Sequence, residues 1–282
     1  MAYQYYPGHM TKAVRSMEND IKMIDLVIEL VDARIPQSSK NPDIDRLAGQ
    51  KSRLIIMNKS DLADPAVNKQ WKEYYSGKGF VVIEADSKNR ATLKGFEAAV
   101  NSSCREKIER DKRRGIINSS VKAMVVGIPN VGKSTFINTV SGKSGAKTGN
   151  KPGVTRGKQW ITLGKNIELL DTPGILWPKF EDEITGRNLA LIGSMNDEIL
   201  NIEELCIDAI NLLKCDYPES LIGRFGNELD ISGTAADILC DMALIRNIIA
   251  KGNEPDIRRM SSVFIDELRS GKLGRVSFEK PF

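Results

Sequence analysis

The chain has 282 residues, 41% of them hydrophobic and 28% charged, which is enough for one large globular domain or two ordinary ones. The 41 basic residues against 37 acidic ones give a net charge of +4, a balance that permits a nucleic-acid partner without arguing for one. Four cysteines without a CxxC pair and a single histidine exclude a zinc site of the usual spacing, and isolated thiols suit a reducing cytosol.

The opening residues, MAYQYYPGHMTK, hold no apolar core, so no signal peptide is expected and the expected location is cytoplasmic. Apolar residues at Met10, Ala13, Val14, Met17, Ile21 and Ile24 follow with helical spacing. The longest apolar stretch, IKMIDLVIELV, carries Lys22, Asp25 and Glu29 and is too short to cross a bilayer. Short β-rich runs at 26–33, 53–57 and 79–85 read as buried strands, with helices around 42–50 and 65–77 between them. That rhythm predicts a parallel α/β sheet. Residues 105–114, REKIERDKRR, read as a solvated helix face. A strand at 121–127, a helix at 133–141, a Gly/Lys-rich loop to 157 and strands near 158–163 and 166–170 complete this half. Beyond about residue 178 the strand signal disappears. EILNIEELCIDAINLL reads as a helix. A further helix opens on a Thr234/Asp237 capping pattern, with Ile238, Met242, Ile245 and Ile249 on one face and Gly252 as its stop. A last one aligns Ile257, Met260, Phe264, Ile265 and Leu268, with Arg258, Arg259 and Arg269 largely off that stripe.

Three motifs carry chemistry. GIPNVGKST (127–135) follows a strand and opens a helix, the context of a phosphate loop. Its candidate phosphate contacts are Asn130, Val131, Gly132, Lys133, Ser134 and Thr135, with the Ser134 hydroxyl as a Mg²⁺ ligand. NIELLDTPG (166–174) delivers Asp171 to a strand end, where a carboxylate holds Mg²⁺ through water, and Gly174 to the γ-phosphate. Between them, KPGVTR offers Thr155 as a further Mg²⁺ ligand. The third motif, Asn58-Lys59-Ser60-Asp61, reads guanine. Asp61 accepts the N1–H and N2–H₂ donors as a bidentate pair, Asn58 bonds the O6/N7 side and braces the phosphate loop, and the Lys59 stem lies over the purine. Asp86 and Ser87 fall where a second base-supporting loop belongs.

The base motif precedes the phosphate loop, the reverse of the usual order. Circular permutation explains this, because all binding loops of a doubly wound sheet leave the C-terminal strand ends and the natural termini lie close together. The order NKSD, GIPNVGKST, KPGVT, DTPGILWPKFEDE, together with YPGHM, LVIELVDARIP and GKLGRVSFEKP, resembles the circularly permuted GTPases of the YlqF/YawG family over essentially the whole chain. The resemblance implies a permuted Ras-like P-loop domain with a mostly parallel sheet (1–178) and a smaller all-α domain similar to ANTAR-type RNA binders (179–282). It implies a GTP-hydrolysing factor in late assembly of the large (50S) ribosomal subunit, in contact with 23S rRNA and ribosomal proteins, monomeric off the particle. The position after Gly174, where Ras-like enzymes carry a water-orienting glutamine, is Ile175, so intrinsic hydrolysis is expected to be slow. The family implies His9 as the group that positions water, with activity switched on by the ribosome. Asn130 resembles the phosphate-loop asparagine of potassium-activated GTPases, which makes K⁺ a candidate second cation. Lys143, Lys147, Lys151, Arg156, Lys158 and Lys165 make the intervening loop basic, suited to nucleotide or RNA phosphate. A nucleotide-dependent adaptor that recruits proteins, with hydrolysis incidental, is the second reading, and an ATPase is a third and weaker one.

Overall fold

The computed structural model describes residues 17–116, 119–142, 159–164, 166–174, 176 and 182–281. His9, Thr155, Ile175, the basic loop and the expected boundary at 178/179 lie outside the described residues.

Six strands, β1 (Leu26–Asp32), β2 (Ser52–Asn58), β3 (Val81–Ala85), β4 (Val121–Val126), β5 (Gln159–Leu163) and β6 (Ile167–Asp171), form one sheet in the order β3-β2-β1-β4-β6-β5. Every pairing is parallel except β5 with β6. From β1 the chain steps outward through β2 and β3. It returns to the centre at β4 and then builds the opposite side. The order reverses between β1 and β4, and ligands bind at such a switch point, outside the carboxyl ends of the strands.

β1 is buried along its whole length, as a central parallel strand must be. One sheet face takes Leu26, Ile28, Leu30, Leu54, Ile56, Ala123, Val125 and Leu169 into a core with Phe96 and Val100 of α3 (Phe96–Ser103) and Phe136 and Ile137 of α5 (Lys133–Ser141). The other face packs Val27, Met124, Val126 and Leu170 against α1 (Pro42–Ala48), and Val31, Ile55 and Met57 against Trp71 and Tyr75 of α2 (Pro65–Gly77). Asn41 and Asp64 cap α1 and α2, each with proline at the first helical position. The charged run forms α4 (Arg105–Arg113), whose Arg105–Glu109 and Lys107–Asp111 pairs are spaced one turn apart.

From Asp182 onward the described residues form helices: α6 (Glu183–Leu191), α7 (Ile202–Asp216), α8 (Pro218–Phe225), α9 (Ala235–Ile245) and α10 (Ile257–Arg269). Their apolar stripes meet in the same core cluster that underlies one face of the sheet. Two expectations need correction. The helix read across residues 198–213 begins at Ile202, because the Asn201 side chain caps it and a 3₁₀ turn at Asp197–Ile199 precedes it. The helix read to Gly252 ends at Ile245, although its Thr234/Asp237 capping box is in place. Asn247 adopts φ +51°, its N–H reaches Leu244 O at 3.0 Å and Ile248 N reaches Ala243 O at 2.8 Å. Those two bonds are a Schellman stop, which asparagine supports in the left-handed region. Ile249 then bridges to Pro255 instead of continuing the apolar stripe.

Among the described residues no helix is long and apolar enough to cross a membrane.

Candidate functional site

The ends of β1, β2, β3, β4 and β6 converge on one rim, and three of the loops there are tied by a single side chain. Asn58 closes β2 and is buried. Its Nδ2 donates to Val131 O of the phosphate loop at 2.7 Å, and its Oδ1 accepts from Ser87 N at 2.9 Å and Ser87 Oγ at 2.7 Å. Ser87 O in turn accepts from Thr139 Oγ1 of α5 at 2.6 Å. Gly132, at φ +101°, lies so close under Asn58 that a Cβ would come within 2.4 Å of Nδ2. Glycine is therefore required both by the backbone angle and by this contact. Asn58→Ala leaves Val131 O and both Ser87 donors unpaired and is expected to cost about 3 kcal/mol of stability, read by urea unfolding. A loss below about 1 kcal/mol contradicts this bracing role.

The guanine motif divides into framework and free end. Lys59 takes φ +58° and sends its Nζ to Asp32 Oδ2 at 3.0 Å. Ser60 N bonds Ala85 O at 3.0 Å. Asp61 is exposed, and its carboxylate makes no hydrogen bond or ion pair among the described residues. Asp86 folds back on its own loop, its Oδ1 accepting from Lys88 N at 2.8 Å. Sequence reasoning missed Asp32 and Arg34. The buried Asp32 carboxylate accepts from Arg34 N, Nε and Nη2 at 3.1, 2.9 and 2.8 Å. Burial alone would raise this carboxyl, but the Arg34 guanidinium and the Lys59 ammonium outweigh it and hold it well below the usual carboxylate range. The available signal was a charged pair at the carboxyl end of a buried strand, level with the other loops.

In the phosphate loop, Gly127 sits beneath Leu30 O, where a Cβ would clash at 2.6 Å, and Asn130 adopts φ +58°. Gly132, the cap of α5, has no side chain to close the first helical turn, the arrangement that receives phosphate at a helix N-terminus. Lys133 Nζ donates to Gly127 O at 3.0 Å and Ile128 O at 2.7 Å. Burial pushes its ammonium down to about 8, with Asp171 opposing the shift and Lys59 adding to it. Asp171, at the end of β6, is buried with Oδ1 unpartnered, and burial raises its carboxyl against the pull of Lys133. An orphaned carboxylate oxygen on the same rim as the phosphate loop fits a cation held through water. The adjacent Thr172 Oγ1 is fixed on Val125 O at 2.6 Å. Gly174 packs against Pro129 and Lys133, and a Cβ there would come within 2.9 Å of Nζ.

Two hydrogen bonds lead from the phosphate loop into the helical half. Asn130 Nδ2 donates to Gly193 O at 2.7 Å, and Ser194 Oγ donates to Pro129 O at 3.0 Å. Arg269, at the end of α10, secures that segment through Leu191 O, Ala190 O and Asp197, while its own carbonyl accepts from Arg34 Nη1.

A family model described as a 50S ribosome-binding GTPase matches residues 122–219, starting in β4 and leaving the base loop upstream of the match. Ribosome biogenesis GTPase A of Bacillus cereus is 43% identical over 281 residues, covering 100% of this chain and 95% of that one. This chain belongs to the ribosome biogenesis GTPase A family. The member from Thermotoga maritima is 32% identical over 98% of this chain and 94% of its own length. The GNP-bound crystal structure of YlqF from T. maritima aligns with a TM-score of 0.66 at 29% identity, over 96% of this chain and 98% of that one. A GDP-bound structure of TM YlqF gives 0.68 at 28%, over 95% and 99%. The protein is a GTPase, with a circularly permuted α/β GTPase fold joined to a helical region, as the inverted order of its motifs requires.

Proposed function

We propose that this GTPase acts on the large ribosomal subunit late in its maturation, with hydrolysis stimulated by the particle. Residues 1–178 serve as the nucleotide switch and 179–282 as the part that grips 23S rRNA beside ribosomal proteins. The observation that carries the reading is the direct bond between phosphate loop and helical half, Asn130 to Gly193 and Ser194 to Pro129. A change at the phosphates acts on the helices through those contacts and through the short link from Asp171 to the Asp182 cap of α6. Relatives named ribosome biogenesis GTPase A and a family described as a 50S ribosome-binding GTPase supply the particle.

Within the site, Asp61 reads the guanine edge, supported by Asn58, Lys59, Ser60, Asp86 and Ser87. Residues 130–135 and Gly174 meet the phosphates, and Ser134, Thr155 and Asp171 hold Mg²⁺. When bound, the metal would supply neutralisation of the charge on the nucleotide phosphates. Asn130 Nδ2 is committed to Gly193, which leaves the amide oxygen to face a K⁺ ion. His9 positions the attacking water when the ribosome is present.

The test is GTP turnover with and without purified 50S precursors, in K⁺ and in Na⁺, for wild type and His9→Ala. Stimulation by the particle of at least about tenfold, lost in His9→Ala, is expected. Turnover unaffected by the particle returns the protein to the adaptor reading.

Lys133 adds a pH dependence. Its ammonium titrates near 8 in the free protein, and nucleotide phosphates beside it raise that value. Between the two values binding takes up a proton. GDP affinity is therefore expected to be flat below about pH 8 and to fall above it by up to tenfold per unit. Calorimetry in buffers of different ionisation enthalpy measures the proton uptake; none at pH 9 contradicts the assignment.

A further inference from the structure

The loop that carries Asp61 is held from the far end of the chain. Residues 60–64 have no regular structure, and within their own half they are tied by Ser60 N to Ala85 O, Leu62 N to Lys59 O at 2.9 Å, Asn68 N to Asp64 O at 2.9 Å, Ala66 N to Asp64 Oδ1 at 2.8 Å and Asn68 Nδ2 to Ser60 O at 3.3 Å. A second set of bonds comes from beyond residue 215. Arg275 Nη2 donates to Ser60 O and its Nε to Ala63 O, both at 2.9 Å. Val276 N donates to Leu62 O at 3.0 Å, and Ser277 Oγ accepts from Asp64 N at 3.1 Å. Tyr217 Oη donates to Asp64 Oδ2 at 3.2 Å. Gly271, at φ +79°, lies against Leu62, where a Cβ would approach Cδ2 to 2.6 Å. The carbonyls of Ser60, Leu62 and Ala63 are thereby fixed, while the Asp61 carboxylate faces out.

We propose that Arg275 is a positioning residue for base recognition: its guanidinium bridges the carbonyls on either side of Asp61 and holds that carboxylate at the angle a guanine edge requires, which makes the C-terminal segment part of the nucleotide site. The inference rests on the reading of Asp61 as the guanine acceptor. A planar fork is the group for this task, since it directs two N–H donors to two fixed oxygens at once; an ammonium is a point charge without that geometry. Bidentate recognition by Asp61 is in turn sensitive to small rotations of its loop.

The segment has its own anchors, so Arg275 is not needed to seat it. Phe278 N bonds Arg34 O at 2.9 Å, Trp71 Nε1 bonds Glu279 O at 3.1 Å, and Leu273 and Val276 are buried. The Glu279 carboxylate accepts from Ser38 N at 3.0 Å, from Ser38 Oγ at 2.6 Å and from Gln37 N.

GDP and IDP, which lacks the 2-amino group, separate positioning from mere stability. Both are titrated into wild type, Arg275→Ala, Arg275→Lys and Asp61→Ala, with thermal unfolding of each nucleotide-free protein. Arg275→Ala is expected to weaken GDP about tenfold and IDP clearly less, with Arg275→Lys intermediate. Adding Arg275→Ala to Asp61→Ala should leave the GDP/IDP ratio where Asp61→Ala put it. An equal loss of both nucleotides, or no change in the ratio, overturns the proposal; if the alanine variant does not fold, the lysine variant decides by the same ratio. Should Asp61→Ala itself leave the ratio intact, the guanine reading falls and this inference with it. A ratio collapsed by Asp61→Ala but untouched by Arg275→Ala removes this inference alone.

Discussion

Asp61→Asn is expected to exchange guanine for xanthine. The carboxylate of Asp61 stands exposed, without a partner among the described residues, on a loop whose Ser60, Leu62 and Ala63 carbonyls are hydrogen-bonded. Guanine offers it two donors. An amide in its place turns one acceptor into a donor, which opposes the guanine amino group and suits the C2 carbonyl of xanthine. One bond becomes a donor–donor conflict and the other loses its charge assistance, together about 4 kcal/mol or roughly a thousandfold in affinity. GDP binding should fall by that order while XDP binding rises. Because the framework residues Asn58, Lys59 and Ser87 are untouched, unfolding of the free protein should barely move. Unchanged GDP affinity would show that the base is read elsewhere.

Lys133→Ala is expected to abolish nucleotide binding at micromolar concentrations. The ammonium lies among the carbonyls of its own loop, beside Asp171 and against Gly174. Phosphate oxygens entering the loop would meet this ammonium, whose charge opposes theirs directly. Losing it should weaken GDP at least about a hundredfold. Stability tells the complementary story. The variant loses two bonds to Gly127 O and Ile128 O but also sheds a buried charge that titrates near 8, and those terms oppose one another. The melting temperature of the free protein should therefore stay near that of wild type. Saturating GDP raises it in wild type through binding to the native state, and that increment should vanish in the variant. A variant that keeps the increment contradicts the role given to Lys133.

The legible parts of the site are those where local chemistry and strand position coincide. Gly127, Gly132, Lys133 and Asn58–Asp61 each follow an apolar strand, so their sequence alone places them on the carboxyl rim. Permutation was legible for the same reason: the loops keep their strand ends whatever their order. The division of labour inside the motif was not. Asn58 and Ser87 are spent on each other and on the phosphate loop, and Lys59 is spent on Asp32, because the rim must satisfy buried polar groups drawn from four separate strands. Nothing in the periodicity of β1 announces Arg34 as the partner of Asp32. Arg275 and Glu279 are further still from legibility, since their bonds join opposite ends of the chain. The misread end of α9 has a local cause: Ile249 continues the apolar spacing, but Asn247 accepts the left-handed turn and stops the helix first.

In the proposed binding mode, Asp61 and Lys133 hold opposite ends of one nucleotide despite their inverted order in the chain. Titrating XDP into Asp61→Asn and into the double variant Asp61→Asn with Lys133→Ala tests it most directly. Binding of one XDP per chain to the single variant, lost in the double variant, is the predicted result. XDP binding that survives removal of Lys133 would place the two side chains in separate pockets and contradict the account.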